Sequence, residues 1–502
     1  MTTRATTKRH FHVKAVLGVL LLVVGGCSAE PAPEPAPTVA AVCGHVPAGP
    51  ATAPAGAVVV DPAVRGDLLV KTEASPPGTT FWLAPGTHTL GDGEYDQVAP
   101  KDGDHYIGAP GAVVDGKKVN RYAFTGKAGK VTVEHLTVTG FVPPDNEGAV
   151  NHDSGPDWTI QANDLSGNSG AAVMAGTRQV LKGNCLRGNG QYGLNGCCGD
   201  LAGLLVEGNE FVGNNAEDVE KKYPEGCGCS GAMKLWAVNG ADIRGNWIHD
   251  NRGPGIWADT NNNDFLIEHN VIENNDDNAI FYETSYNAVI RDNVIKGNNV
   301  VAGRKYVAED DSFPVAAIYI SESGGEPRVK ARTAKIEITG NTLENNWSGI
   351  TLWENADRFC NSPANSSTGV CTLLQPDVAK CAAPGIATEP LRTDCRWKTQ
   401  NVDIHDNRFA VDPSVLDCRE MCARMGLLSN YGTVPEWSPY QAEAVERAIT
   451  FHQGNRWHDN RYAGPWTFVT EEASRVVEQG RWQGVPYQQD QGSTFEAGGG
   501  FR

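Results

Sequence analysis

The 502-residue sequence predicts an all-β solenoid, and three observations carry that prediction. A phrase centred on asparagine recurs along most of the chain. Apolar residues inside the phrase alternate at period two, as in "IRGNWI" (243–248), which is strand chemistry rather than helix chemistry. Gly, Asn and Asp interrupt the alternation at regular points, and these residues supply turns.

The phrase reads "IQANDLSGN", "LKGNCLRGN", "VEGNEFVGNN", "IRGNWIHDN", "IEHNVIENN", "IRDNVIKGNN", "ITGNTLENN" and "IHDNRFAVD". Its first asparagines are Asn163, Asn184, Asn209, Asn246, Asn270, Asn293, Asn341 and Asn407. The tightest spacings, 21 to 25 residues, are those of a stacked repeat. One coil of that length cannot bury its apolar face, but a stack shares an interior. Asparagine tolerates the left-handed backbone region and stacks into ladders, so these residues are expected to be structural. The pattern resembles the right-handed parallel β-helix of the pectate-lyase-like superfamily over about residues 130–470. The resemblance implies a single-stranded right-handed parallel β-helix with an N-terminal cap and loop insertions. It also implies a carbohydrate substrate, without naming the reaction. No "RIK" or "GHG" of polygalacturonases and no "DPH" site of alginate epimerases occurs.

Taken from the N-terminus, residues 1–26 carry Arg4, Lys8, Arg9 and Lys14, no acid, and the apolar run "VKAVLGVLLLVV". That run is short for a membrane span and reads as an export signal. It ends in "VGGC", which resembles a bacterial lipobox and implies lipidation of Cys27, a membrane anchor and an extracytoplasmic location. Without a functional lipobox the protein would be secreted. Cleavage removes four cations and takes the net charge from −18 to −22, a surface that repels nucleic acid. Residues 27–55 begin as a Pro/Ala-rich tether, "SAEPAPEPAPTVAAV". Residues 56–130, with "GTTFWLAPGTHTL", read as capping coils, 131–480 as the helix proper and 481–502 as a tail. A monomer is expected.

Without Cys27, twelve cysteines remain, an even number suited to disulfides in an oxidising compartment. Cys360, Cys371, Cys381 and Cys395 fall in an insertion, 355–400, that lacks the repeat and should hold two bridges. Cys418 and Cys422 suit a local bridge, leaving Cys43 and Cys185. Cys197, Cys198, Cys227 and Cys229 suit disulfides, with a four-thiolate zinc site as the other reading.

The strands before each phrase read "GAAVM", "GLNGC", "AMKLW", "GIWAD", "AIFYE", "AIYIS" and "GITLW". Alternation turns Leu235, Ile256, Ala258, Ile280, Tyr282 and Leu352 inward. One outward column is then Ala172, Asn195, Lys234, Trp257, Phe281, Tyr319 and Thr351. The next is Met174, Cys197, Trp236, Asp259, Glu283, Ser321 and Trp353. Two acids on adjacent rungs among aromatics point to a sugar groove. Asp259 and Glu283, with Lys234, are the candidate catalytic residues; Trp236, Trp257, Phe281, Tyr319 and Trp353 are the candidate sugar platforms. A close carboxyl pair splits its pKa values, as acid/base cleavage of a glycosidic bond requires. With Asp264, the two acids could instead hold Ca²⁺; no other cofactor is indicated. The chemistry fits a polysaccharide hydrolase or lyase. The alternative is a non-catalytic glycan-binding or structural surface protein, with the aromatics packed beneath residues 304–314 and the 355–400 insertion.

Overall fold

A computed structural model describes residues 39–496 apart from 198–200, 223–228, 365–369, 419–420, 431–434 and 442. The stretch read as an export signal, Cys27 and the start of the expected tether lie outside the described residues, as do Cys198 and Cys227. The chain winds into three long sheets of 13, 13 and 11 strands. From Gly148–Val150 onward successive coils place one strand in each sheet, and among the described residues every pairing within these sheets is parallel except the last pairing of the third sheet. This is the parallel β-helix expected from the repeat.

The interior follows from the alternation. In the first sheet Ile160, Leu181, Val206, Ile243, Ile267, Ile290, Ile338 and Ile404 stack in register and are fully buried. Leu235, Ile256, Ala258, Ile280, Tyr282 and Leu352 face the same core, as read from the sequence. The Tyr282 hydroxyl donates to the Tyr286 carbonyl at 2.7 Å, which satisfies its buried polar atom.

Asparagine does at the corners what leucine and isoleucine do inside. The Asn270 Oδ1 accepts both the backbone N–H and the side-chain amide of Asn246, at 3.0 and 2.9 Å. Its own amide passes to Asn293 at 3.0 Å and to the Ile243 carbonyl at 2.9 Å. The same bonds link Asn163 through to Asn460. A second ladder runs five residues later in each phrase, from Asn168 to Asn346.

The helix Asp67–Ala74 lies at the N-terminal end of the stack and buries Leu68 and Thr72. At the other end Trp482 stacks on Phe468 at 4.7 Å. Val58–Val60 is the first rung, within the stretch read as capping coils, and Thr494–Glu496, within the stretch read as a tail, is the last strand of the second sheet. Disulfides join Cys43 to Cys185, Cys360 to Cys371, Cys381 to Cys395 and Cys418 to Cys422. Cys229 is also disulfide-bonded, which removes it from the alternative four-thiolate zinc site. Such bridging is the chemistry of an oxidising, extracytoplasmic compartment. Among the described residues, no helix is long and apolar enough to cross a membrane.

Candidate active site on the third sheet

The outward columns meet on the third sheet. Lys234 pairs with Trp257, Trp257 with Phe281, Phe281 with Tyr319 and Tyr319 with Thr351. In the neighbouring column Trp236 pairs with Asp259, Glu283 with Ser321 and Ser321 with Trp353. The register that pairs Ala258 with Tyr282 puts Asp259 on the rung beside Glu283. The columns begin differently from the sequence reading. Met174, not Ala172, lies beside Asn195, and Ala172 packs into the core. The strand pairs Ala171 with Tyr192 and Val173 with Leu194, so "GAAVM" sits two residues out of the alignment with "GLNGC" that the sequence suggested.

The aromatics are less open than the sequence suggested. Trp257 is 5 % exposed, and Trp236, Phe281, Tyr319 and Trp353 are half-buried. Trp257, Phe281 and Tyr319 form a continuous stack, with centroids 5.2 and 4.9 Å apart. An insertion bearing the helix Val300–Ala308 then lays Phe313 edge-on against Tyr319 and Trp353, at 5.6 and 5.3 Å. Its Pro314 carbonyl accepts the Thr351 hydroxyl at 2.8 Å. One end of the stack is therefore packed beneath this segment, while Trp257 and Phe281 line an open cleft.

The charges are tied into one network. Lys234 Nζ lies 3.0 Å from Asp259 Oδ2, 3.9 Å from the centre of the Trp257 ring and 2.9 Å from Cys229 Sγ. Asp259 Oδ1 also accepts the Thr260 hydroxyl at 2.7 Å. Glu283 Oε2 accepts the Trp257 indole N–H at 3.1 Å, and its Oε1 accepts Arg358 Nη2 at 2.5 Å. Arg358 Nε lies 3.9 Å from Glu322, whose other oxygen accepts the Asn355 N–H at 2.8 Å. Three carboxyls thus face two cations. Burial and the nearby Asp259 and Glu322 push Glu283 up to about 7, against the opposing pull of Arg358 and Lys234. Burial raises Glu322 as well. A proton on Glu283 balances the charge of the cluster.

Sequence reasoning missed Glu322 and Arg358. Glu322 directly follows Ser321 of the outward column, so "SES" was a usable signal. Arg358 sits in "ENADRFC", in the insertion, and no periodicity links it to the sheet. The columns themselves contain no arginine; the loop supplies it. The insertion builds its own small core from Phe359, Ile386 and the four cysteines. It is clamped to the sheet by Asn261, whose amide donates to the Cys371 carbonyl at 2.7 Å and accepts the Trp397 indole at 3.0 Å. In "GPGIWADTNNND" (253–264), Asn261 therefore holds the insertion. Asn262 bonds Leu235 and Ser285, and Asn263 continues an amide row between Asn239 and Asn287. The stretch is at once a rung and part of the site.

The Ca²⁺ set does not assemble. Asp264 has turned onto the first sheet, where its carboxylate accepts two N–H groups of Arg332 at 2.8 Å. Lys234 and Arg358 already occupy Asp259 and Glu283, which leaves no oxygen-rich shell for a hard cation. Among the described residues, the group whose possible ligand atoms lie within 4.8 Å of one another is Cys360, Cys371 and Cys381. All three are in disulfides.

Residues 148–333 match the family model described as a right handed beta helix region. No curated protein matches the chain. Among solved structures, the chain is similar to the Azotobacter vinelandii mannuronan C-5 epimerase A-module. That match is 15% identical, covers 60% of this chain and 89% of the other, and has a TM-score of 0.38. An alginate lyase from Paenibacillus sp. matches at 14% identity over 58% of this chain and 90% of the other, with a TM-score of 0.32. A GH87 α-1,3-glucanase catalytic domain matches at 10% identity over 62% and 65%, with a TM-score of 0.30. The parallel sheets and the matched family model together identify this chain as a right-handed parallel β-helix.

Proposed function

We propose that this protein cleaves a polysaccharide at the charged network of the third sheet, as a glycoside hydrolase, with Glu283 as the proton donor. The observation that supports this reading is the unequal setting of two carboxyls on adjacent rungs. Glu283 is buried and faces Asp259 and Glu322 as well as Arg358, and it stands at about 7, so it carries an exchangeable proton at neutral pH. Asp259 has the Lys234 ammonium 3.0 Å away and is the partner acid. Two acids whose environments push them apart divide into acid and base or nucleophile. Neighbouring rungs are about 4.8 Å apart, close to the roughly 5–5.5 Å of retaining glycosidases.

In this mechanism Glu283 protonates the leaving glycosidic oxygen. Asp259 stabilises or attacks the anomeric carbon, and the Glu283 carboxylate then activates water. Arg358 and the Trp257 indole hold Glu283 in one orientation. Trp257 and Phe281 offer apolar edges to the sugar, while Trp236 and Trp353 flank the acids. The protein would work outside the cytoplasm as a monomer, lipid-anchored through Cys27.

The mature chain should release reducing ends from one member of a glycan panel. Glu283→Gln should lower turnover at least ~100-fold, the scale of losing a general acid, and leave binding intact. An unsaturated, ultraviolet-absorbing product would instead mark a lyase. A binding-only protein is the second reading, supported by the open cleft that Trp257 and Phe281 line. In that case Trp257→Ala would weaken binding and no variant would change a turnover, because there would be none.

A further inference from the structure

Beside the charged network lies a cleft of about 680 Å³, within the size range of ligand pockets. One wall is the helix Val300–Ala308, with Tyr306; another is the segment around Asp218 and Glu220. Its floor is the edge of the third sheet, where Pro254, Trp257 and Phe281 emerge. The cleft and the Glu283 network therefore share the Trp257–Phe281 stack.

Two carboxyls are built into this floor. The Asp276 N–H donates to the Asn251 carbonyl and its own carbonyl accepts the Ala302 N–H, both at 3.0 Å, which fixes it between coil and helix. Its side chain takes no bond from a described residue. Asp277 Oδ1 accepts the Asn278 N–H at 2.8 Å. Burial raises both carboxyls above the usual range. Desolvated carboxyl oxygens beside aromatic edges are groups that accept hydrogen bonds from hydroxyls.

The charge balance selects among sugars. The cleft holds Asp218, Glu220, Asp276 and Asp277 against Lys221, Arg252 and Lys305. The network next to it holds Asp259, Glu283 and Glu322 against Lys234 and Arg358. Acids outnumber cations in the cleft, and with its proton on Glu283 the network beside it is balanced, with no cation in excess. Asp218 already pairs with Lys221, so that ammonium is engaged. A polymer with a carboxylate on every ring would meet net repulsion.

We propose that this cleft binds a neutral, hydroxyl-rich hexose unit of the polysaccharide cleaved at Glu283, with Asp276 and Asp277 accepting sugar hydroxyls over the Trp257–Phe281 floor. The inference rests on the function proposed above and adds the class of substrate. It separates the protein from enzymes whose substrates are uronate polymers.

The test is calorimetric binding of the mature chain to length-matched neutral and uronate oligosaccharides at low and high salt. Neutral oligosaccharides should bind, with an affinity that changes less than about twofold on raising salt, since no ion pair is screened. Asp276→Asn with Asp277→Asn should weaken that binding about tenfold or more, as loss of hydrogen bonds to charged acceptors does. Arg252→Ala with Lys305→Ala, on the cleft walls, should not abolish it, since a neutral sugar needs no cation. Preferred, salt-sensitive binding of uronates, abolished by the Arg252 and Lys305 changes, would overturn the proposal. So would neutral binding indifferent to the aspartate changes, or no binding of any oligosaccharide. Binding needs no turnover. Neutral sugar held in the cleft without cleavage, in wild type and Glu283→Gln alike, would refute the hydrolase and leave the cleft assignment standing.

Discussion

The Glu283 carboxyl provides the sharpest test, because its environment fixes both the sign and the size of an effect. Its ordinary value is 4.5 and in the folded protein it stands at about 7. Between those pH values the folded chain holds a proton that the unfolded chain has released. Stability from this group is therefore fully present below 4.5 and is lost as pH rises through 7. A displacement of that size corresponds to about 3 kcal/mol at about 1.4 kcal/mol per unit. A β-helix of several hundred residues unfolds with an entropy near 1 kcal/mol/K, so the loss appears as a fall of about 3 °C in Tm. Glu283→Gln keeps the side-chain shape and removes the titration. Melting curves of both proteins from pH 4 to 9 should show the wild-type-minus-variant difference falling by about 3 °C across the range. Subtraction removes raised groups outside the cluster, such as Asp277 and Asp490. A flat difference, or one that rises with pH, would show that Glu283 is ionised in the folded state and would remove the basis for its role as proton donor.

Further outcomes follow from the same geometry. Arg358→Gln removes a cation that lowers Glu283, so the inflection of the pH–rate profile near 7 should move upward, and activity should extend to higher pH. Asn270→Ala breaks four buried hydrogen bonds and should cost about 3–5 kcal/mol in chemical denaturation. Reducing Cys360–Cys371 and Cys381–Cys395 should speed proteolysis within 355–400 and lower activity together, because that insertion carries Arg358. Phe313→Ala should open the Tyr319–Trp353 end of the stack and raise the accessibility of those rings to a quencher of tryptophan and tyrosine fluorescence.

The site was partly legible in the sequence. The strands "GIWAD" and "AIFYE" placed Asp259 beside Glu283 and Trp257 beside Phe281 because strand alternation and a fixed rung spacing turn sequence columns into spatial neighbours. That rule works only while residues remain in the repeat. It failed for Ala172, where the strand pairs two residues out of the sequence alignment, and for Asp264, which lies past a corner and faces Arg332 on the first sheet. It also left the second asparagine ladder unread, although the five-residue offset is present in every early phrase.

The sequence by itself determined the architecture: apolar alternation, an asparagine at each corner and a short repeat admit a stacked-coil solution in which each coil is completed by its neighbours. It also determined which acids and aromatics share a face. Tertiary structure alone decided what those groups experience. Arg358 reaches Glu283 across 75 residues and Phe313 closes one end of the aromatic stack, both from insertions outside the repeat. Asp276 and Asp277 enter a cleft because a helix between two coils folds back over them. A local pattern specifies direction along a strand, whereas burial, counter-charge and access depend on which distant loop lies above it, and that is settled by the packing of the whole chain.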